Sequence, residues 1–479
     1  MKLGCGDLQW LPLYFSIGRV FMSEKNLSMK RFQGPKGTRD FYPAEMAWRR
    51  YIEGAWRSVA VRHGFDEIEG PMFEALDLYK VKSGEGIVSE LFSFEDRGGR
   101  SLALRPEFTP TLARMVVAKA ASLAKPVKWF SIPMHFRAER PQRGRLREFL
   151  QWNVDFVGDG SARADGEVLG VAIDLLAELG LTREMVRVRL SHRETISKLL
   201  LNMGLTAGQL TSAFTLLDKR DKLTAEEFQK QAGAMGLDDA MIERFDEVAR
   251  LDISAERDWE EIAGALGGRG ADDHALGELR ELHGVIHEMG IAPWCDFDLG
   301  IVRGLAYYTG MVFEVHEASG KERAIAGGGR YDKLIESFGG PALPACGFGM
   351  GDVVLSLVLE DHQLRPADED MRSSPDLFII NTVGEEIEGV VLRLLYEMRQ
   401  AGIHARRSYK TTCNLGKLLK EAGQQRTRFV GILAEEYREN GVVLLKDMKG
   451  GQQVEIEPKL LAKAVLQRLG KFGERGIEL

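Results

Sequence analysis

The chain has 479 residues, 44% of them hydrophobic and 28% charged, with a formal net charge of −7. This is the make-up of a soluble globular protein of about two to four domains, not of a generally basic nucleic-acid binder. No apolar run reaches the length of a transmembrane helix, and no membrane partner is expected. Charge is unevenly placed: residues 375–479 hold 17 Lys+Arg against 14 Asp+Glu, and residues 393–428 nine against two, an excess that suits a polyanion. Cys5, Cys295, Cys346 and Cys413 form no CxxC pair, as expected in a reducing cytoplasm without a disulfide framework or zinc ribbon. His283 and His287 are spaced i, i+4 without an HExxH glutamate and read as a solvated helix face rather than a metal site.

Residues 1–29 carry an apolar stretch broken by Gly18 and Arg19, with only Lys2 before it. They lack the basic start and cleavage site of a signal peptide and read as an extension, with Met22 and Met29 equally good starts. The turn-rich 35–43 precedes a helical pattern over 44–63, then a strand over 65–69 that stops at Gly70-Pro71. In LALRPEFTP, residues 102–110, a strand leads to Glu107 and Thr109. On an extended chain these two side chains point the same way, and a carboxylate beside a hydroxyl can receive an ammonium group. Thr109 could equally cap a helix that begins near Thr111.

Residues 129–158 read as two alternating segments around a basic loop. Phe130, Ile132, Met134 and Phe136 share one face, and Pro133, His135 and Arg137 the other; Leu150, Trp152, Val154 and Phe156 oppose Gln151, Asn153 and Asp155. This predicts an antiparallel hairpin with one face in a core and the other lining something polar. From 137 to 147 there are five arginines and one carboxylate, Glu139. Guanidinium groups grip phosphate in bidentate fashion, so the loop reads either as a phosphate clamp or as a solvated hairpin tip.

A helix over 166–180 and a strand over 186–191 follow, and 192–287 reads as a helical insertion without chemistry of its own. Strands return at 297–302 and 311–316 around RGLAYYTG, where Arg303, Tyr307 and Tyr308 can converge beside a tight turn. Residues 324–355 combine a strand, a glycine cluster and a glycine-rich helix entry. These glycines admit a nucleotide close to the backbone or make tight turns, and they match neither GxGxxG nor a P-loop. A polar, proline-bounded linker over 364–375 leads to strands at 377–381, 428–433 and 442–445 alternating with helices at 384–401, 415–422 and 458–468. That alternation predicts a small α/β domain with a mostly parallel sheet.

FRAERPQRGR, followed by a strand with Gln151 and Asp155, resembles motif 2 of class II aminoacyl-tRNA synthetases, and RPQRGRLREF resembles the histidyl-tRNA synthetase family in particular. LRPEFT and RGLAYY resemble that family's LRPExT and RGLxYY patterns. The helix, strand and proline of 44–71 resemble motif 1, the dimer interface of the class, and 324–355 resembles motif 3. The resemblance implies an α+β catalytic domain on an antiparallel sheet, interrupted by a helical insertion, and a C-terminal α/β anticodon-binding domain. The expected divisions are an extension at 1–29, catalytic parts at 30–191 and 288–364 around the insertion 192–287, a linker at 365–375 and the anticodon-binding domain at 376–479.

It further implies a cytoplasmic, homodimeric histidine–tRNA ligase whose partners are histidine, ATP with Mg²⁺, and tRNA(His). Arg137 and Arg303 would be catalytic. Glu107, Thr109, Gln151, Asp155, Tyr307 and Tyr308 would hold histidine, and Arg137, Glu139, Arg145 and Phe149 would hold ATP. Two departures stand out. Ala306 replaces the signature's usual aspartate, and Val354 stands where the family carries an ATP-binding arginine, leaving Arg330, Arg143 and Arg145 as candidates for the triphosphate. Both departures also suit a non-catalytic paralogue such as the regulatory subunit of ATP phosphoribosyltransferase.

Overall fold

The computed structural model describes residues 32–83, 90–219, 223–243, 274–301 and 307–470. The N-terminal extension, Arg303 and Ala306, and part of the helical insertion lie outside these residues. Among the described residues, the main sheet has nine strands: β1 (Asp66–Glu67), β2 (Val127–Ser131), β3 (Met134–Phe136), β4 (Glu148–Val157), β5 (Val186–His192), β6 (Cys295–Phe297), β7 (Met311–Glu317), β8 (Ala326–Arg330) and β9 (Ala345–Gly351). Their order across the sheet is β1-β2-β4-β9-β8-β7-β5-β6, with β3 on the end of β4. Pairing is antiparallel except for β1 with β2 and β5 with β6.

The alternation of 129–158 decides which face is which. Leu150, Trp152, Val154 and Phe156 are buried in the main core with Trp56 and with Val168, Leu169 and Ala172 of the helix Ala162–Glu178. The helix Pro43–Arg62 buries Trp48, Ile52, Trp56 and Val59, a 3.6-residue stripe, and Trp56 stacks on Trp152 at 6.1 Å between ring centroids. Burying such aromatics stabilises by roughly 1.5–3 kcal/mol each, so this face is fixed and the opposite one is left for the site.

Ion pairs tie the start of the described chain to the site-bearing strands. Arg39 binds Asp352 at 2.7 Å, and the other oxygen of Asp352 accepts from Leu150 N at 3.0 Å. Gly37, at φ +86°, places its carbonyl to accept from Arg147 N, and a β-carbon there would lie 2.7 Å from Pro141. The insertion is helical where it is described, and its Leu199, Phe214, Phe228 and Leu279 join the main core rather than forming a separate one. The stretch 364–375 is more than a linker: it contains the short helix Asp368–Met371, and the Arg365 guanidinium lies 5.3 Å from the Trp48 ring.

The C-terminal sheet runs β11-β10-β12-β13-β14, with β10 (Leu377–Asn381), β11 (Ala405–Arg407), β12 (Phe429–Leu433), β13 (Val443–Asp447) and β14 (Gln453–Ile456). It corrects the mostly parallel expectation. Only β10 with β11 and β10 with β12 are parallel; β12, β13 and β14 pair antiparallel. The hairpin β13–β14 turns at Gly451, φ +70°.

Candidate active site

The polar face of β4 carries Phe149, Gln151, Asn153 and Asp155 in a line. On the β9 side that line has room because the facing positions carry no side chains. Register sets Gly351, Gly349 and Gly347 of β9 beside Gln151, Asn153 and Asp155, and Gly327 and Gly329 of β8 beside Gly349 and Gly347. A β-carbon at 347 would lie 2.7 Å from an Asp155 carboxylate oxygen and 2.8 Å from the Tyr331 hydroxyl. One at 349 would lie 2.8 Å from the Gln151 amide, and one at 329 would lie 2.8 Å from the Tyr308 ring. The glycines that the sequence left open between nucleotide approach and tight turns are therefore a floor on which site side chains lie.

Beside this floor is a cavity of about 1070 Å³, lined by Arg137, Arg145, Phe149 and Gln151 among the expected site residues. Arg137 donates from Nε to the Pro106 carbonyl at 3.3 Å, and its guanidinium carbon lies 4.9 Å from the Phe149 ring centre. Phe149 stacks on its register partner His135, with ring centroids 5.6 Å apart. His135 is fully buried, and its pKa is held well below the usual imidazole value by burial first, then by the cations Arg105 and Arg137. It is therefore a neutral ring backing Phe149. Arg145 is ion-paired with Glu139, and burial together with the nearby Arg323 and Arg137 lowers its pKa. Glu139, bound to Arg145, lies outside the set of side chains that line the cavity.

Asp155 lies further along β4, buried, and accepts a hydrogen bond from the Tyr331 hydroxyl. Burial, then Asp155, pushes the Tyr331 pKa well above the usual phenol value, so the hydroxyl keeps the proton it donates. Tyr307 and Tyr308 bring their hydroxyls to 3.4 Å, and the Tyr307 ring meets Tyr331 edge-on at 6.0 Å. One carboxylate and three phenols thus occupy one end of the floor. Glu107 and Thr109 sit half-buried on the loop that hands Pro106 to Arg137. They are not on an extended chain: Thr109 opens the helix Thr109–Lys119, with Pro110 in its first turn, and that helix has no side-chain cap.

All three triphosphate candidates have carboxylate partners, and of the three Arg330 alone lies off the cavity wall. Arg330 is buried and donates to Asp165, Asp332 and the carbonyls of Asp159 and Ser161. Burial lifts the Asp165 pKa to about 6 against the pull of Arg330, leaving the carboxylate ionised at neutral pH. Arg143 is bound to Glu322 at 2.5 Å. Arg143 and Arg145 both stand on the cavity wall, with Val354 forming an apolar part of it.

Sequence reading missed Tyr331, Arg323, and the Glu314–His316 pair that also lines the cavity with 2.9 Å between its polar atoms. It also missed Arg105, whose buried guanidinium holds β3 to the preceding loop through Met134 O at 2.8 Å and Gly70 O at 2.9 Å. For Tyr331 a signal existed in the run GGGRYD, where a tyrosine follows a strand of glycines.

The family model described as Histidyl-tRNA synthetase matches residues 37–352, and that described as Anticodon binding domain matches 376–468. A histidine–tRNA ligase of Natronomonas pharaonis is 40% identical over 426 residues, covering 89% of this chain and 96% of that protein. One of Opitutus terrae is 44% identical, covering 71% and 77%, and the chloroplastic/mitochondrial ligase of Arabidopsis thaliana is 34% identical, covering 88% and 84%. The fold is shared with the crystal structure of histidyl-tRNA synthetase from Nostoc sp. PCC 7120, with TM-score 0.73, 23% identity, and coverage of 92% of this chain and all of that one. It is also shared with a structure from Bacillus halodurans C titled as an ATP phosphoribosyltransferase regulatory subunit/histidyl-tRNA synthetase, with TM-score 0.67, 24% identity, and coverage of 82% and 97%. On the family match and these identities, the chain belongs to the histidyl-tRNA synthetase family.

Proposed function

We propose that this chain activates histidine with ATP and transfers it to the 3′ end of tRNA(His). The observation that carries this reading is the arrangement around β4: a cavity with arginines on its wall, joined by Gln151 to a glycine floor that ends in Asp155 and phenols. In the first step a carboxylate oxygen of histidine bonds to the α-phosphorus of ATP. The bond from that phosphorus to the bridging oxygen breaks, and its electron pair leaves on pyrophosphate. Two anions must meet, so cations have to neutralise them and hold them in line. Arg137, next to β3, serves as one such cation, and Arg303 is assigned the same task by the family's signature. In the second step the terminal ribose hydroxyl of the tRNA attacks the adenylate.

Glu107, Thr109 and Gln151 receive the α-ammonium of histidine. Asp155, Tyr307 and Tyr308 receive the imidazole, with Tyr331 holding the Asp155 carboxylate in place. An analogue without ring nitrogens would leave these buried groups unpaired, which gives strong discrimination. Phe149 stacks on adenine, Glu139 meets its edge and Arg145 binds phosphate. ATP enters as its magnesium complex, and the cavity-lining carboxylate of Glu314 offers the oxygen donor that such a hard cation prefers.

The C-terminal part binds the anticodon arm. Arg399, Arg406, Arg407, Tyr409 and Lys410 surround a second cavity there, of about 520 Å³, and Tyr409 is 79% exposed, as a stacking platform for a base would be. Dimerisation in the cytoplasm completes the reading. Phe73 and Phe94, each about half exposed and meeting edge-on at 6.1 Å, with Met72 next to Phe73 in the chain, are the kind of apolar surface a second copy covers.

Val354 and Ala306 favour a regulatory paralogue without catalysis. ATP–pyrophosphate exchange with each standard amino acid, in the absence of tRNA, separates the two readings. Exchange with histidine alone is expected, and Arg303→Ala should lower its rate roughly 10²–10³-fold. A folded chain that binds histidine but shows no exchange would support the paralogue.

A further inference from the structure

Charge on the wall of the cavity is unbalanced at one place. Five arginines line it: Arg137, Arg143, Arg145, Arg189 and Arg323. Four have partners within the protein. Arg143 is bound to Glu322 and Arg145 to Glu139, Arg189 lies 3.9 Å from Asp298, and Arg137 donates to Pro106 O. Arg323 has no carboxylate within ion-pair distance among the described residues.

Its position matters as much as its freedom. A β-carbon built on Gly144, at the tip of the basic loop, would lie 3.5 Å from Arg323 Cδ and also 3.5 Å from Val354 Cγ2. The stem of Arg323 and the side chain of Val354 therefore flank the same point of the wall, one from the β7–β8 connection and one from the helix Asp352–Asp361. Val354 offers no charge there, whereas Arg323 brings a guanidinium to that place from another element. Alongside burial, its charge also weakens the proton hold of Arg145, so two guanidinium groups face one part of the wall. A polyanion in the cavity would relieve that repulsion and complete the charge balance.

With ATP as the ligand, as the ligase reading has it, we infer that Arg323 binds the β- and γ-phosphates and supplies the cation that Val354 cannot. When the α-phosphorus changes partner from the bridging oxygen to the histidine carboxylate, negative charge moves onto the departing pyrophosphate. A guanidinium fixed at that end stabilises the charge as it develops. Because Arg323 is exposed on a connection and packs no core, its replacement leaves the fold intact.

The test is histidine-dependent ATP–pyrophosphate exchange on the full chain, with wild type, Arg323→Ala and Arg323→Lys, alongside histidine affinity by calorimetry. Arg323→Ala should lose about 10²-fold in kcat/KM for ATP while binding histidine within about twofold of wild type. Arg323→Lys should fall between the two, since an ammonium keeps the charge and loses the bidentate fork. Exchange by Arg323→Ala within about twofold of wild type would overturn the assignment, as would a loss of histidine affinity as large as the loss of exchange. A wild-type chain without histidine-dependent exchange is a different result: it removes the ligase reading itself, and the role of Arg323 with it.

Discussion

Gly349→Ala tests whether the glycine floor exists for the side chains lying on it. The three atoms its β-carbon would meet first all belong to one side chain, the Gln151 amide carbon and nitrogen at 2.8 Å and oxygen at 3.2 Å. Ordinary contact begins near 3.4 Å, so the amide must retreat by roughly 0.6 Å, and a half-buried glutamine can do so by changing its rotamer. The fold should therefore survive while the amide leaves its place over the floor. On the proposed reading Gln151 binds the α-ammonium, and a hydrogen bond to a charged group contributes about 1.5–3 kcal/mol, or about 10- to 150-fold in kcat/KM for histidine. Pyrophosphate exchange measures this directly. If the effect passes through Gln151, the double variant Gly349→Ala/Gln151→Ala should be no worse than Gln151→Ala alone. An unchanged kcat/KM, or additive losses, would refute the reasoning. Gly347→Ala provides the contrast. Its β-carbon meets the Val154 carbonyl oxygen at 2.5 Å as well as Asp155 and Tyr331, and a backbone atom cannot turn aside, so this variant should lose stability by roughly 1–3 kcal/mol.

Arg330→Ala should destabilise the chain by about 3–5 kcal/mol, because it leaves the buried Asp165 carboxylate without its cation; an unchanged urea midpoint would show that the pair is not held in solution. His135 has a folded pKa below the unfolded value of 6.5, so below about pH 6.5 the unfolded chain takes up a proton that the folded chain refuses. Stability should then fall by up to about 1.4 kcal/mol per pH unit, and His135→Leu should remove that part of the slope in thermal melts at pH 7.5 and 5.5. Arg406→Ala and Lys410→Ala should each weaken tRNA binding and reduce the slope of log K against log salt by about 0.7–0.9; slopes equal to wild type would move the RNA contact off this surface.

What the sequence disclosed follows from the range over which each signal acts. The alternation of 129–158 and the helical stripe of Trp48, Ile52, Trp56 and Val59 are local, and each fixed a face. Partners are not local. Arg330 read as available for phosphate because Asp165 stands 165 residues away, and Arg143 because Glu322 stands 179 away. The Tyr331–Asp155 bond, 176 residues apart, was hidden for the same reason. Short strands were equally hard to see. Ala405–Arg407 spans three residues and Gln453–Ile456 four with little burial, too few for a period to show, so the C-terminal sheet was read as parallel from its longer strands alone. At Glu107 and Thr109 the pair was seen but its geometry was not, because Pro110 favours a first helical turn over an extended chain.

The same limits explain how the chain can lack an arginine at Val354 and still present a cationic cavity. Charge on a cavity wall depends on which side chains reach a point in space, and a point beside Gly144 is reachable from both the helix Asp352–Asp361 and the β7–β8 connection. Only the second route carries an arginine in this chain. A motif reading follows one route and registers a loss, whereas the folded wall registers a substitution of source. The consequence is measurable in the reverse direction. Val354→Arg in the Arg323→Ala background returns a guanidinium to the same place by the other route, so it should recover exchange by about tenfold or more over Arg323→Ala alone. No recovery in a variant that still binds histidine would mean that the two routes do not meet at one phosphate site.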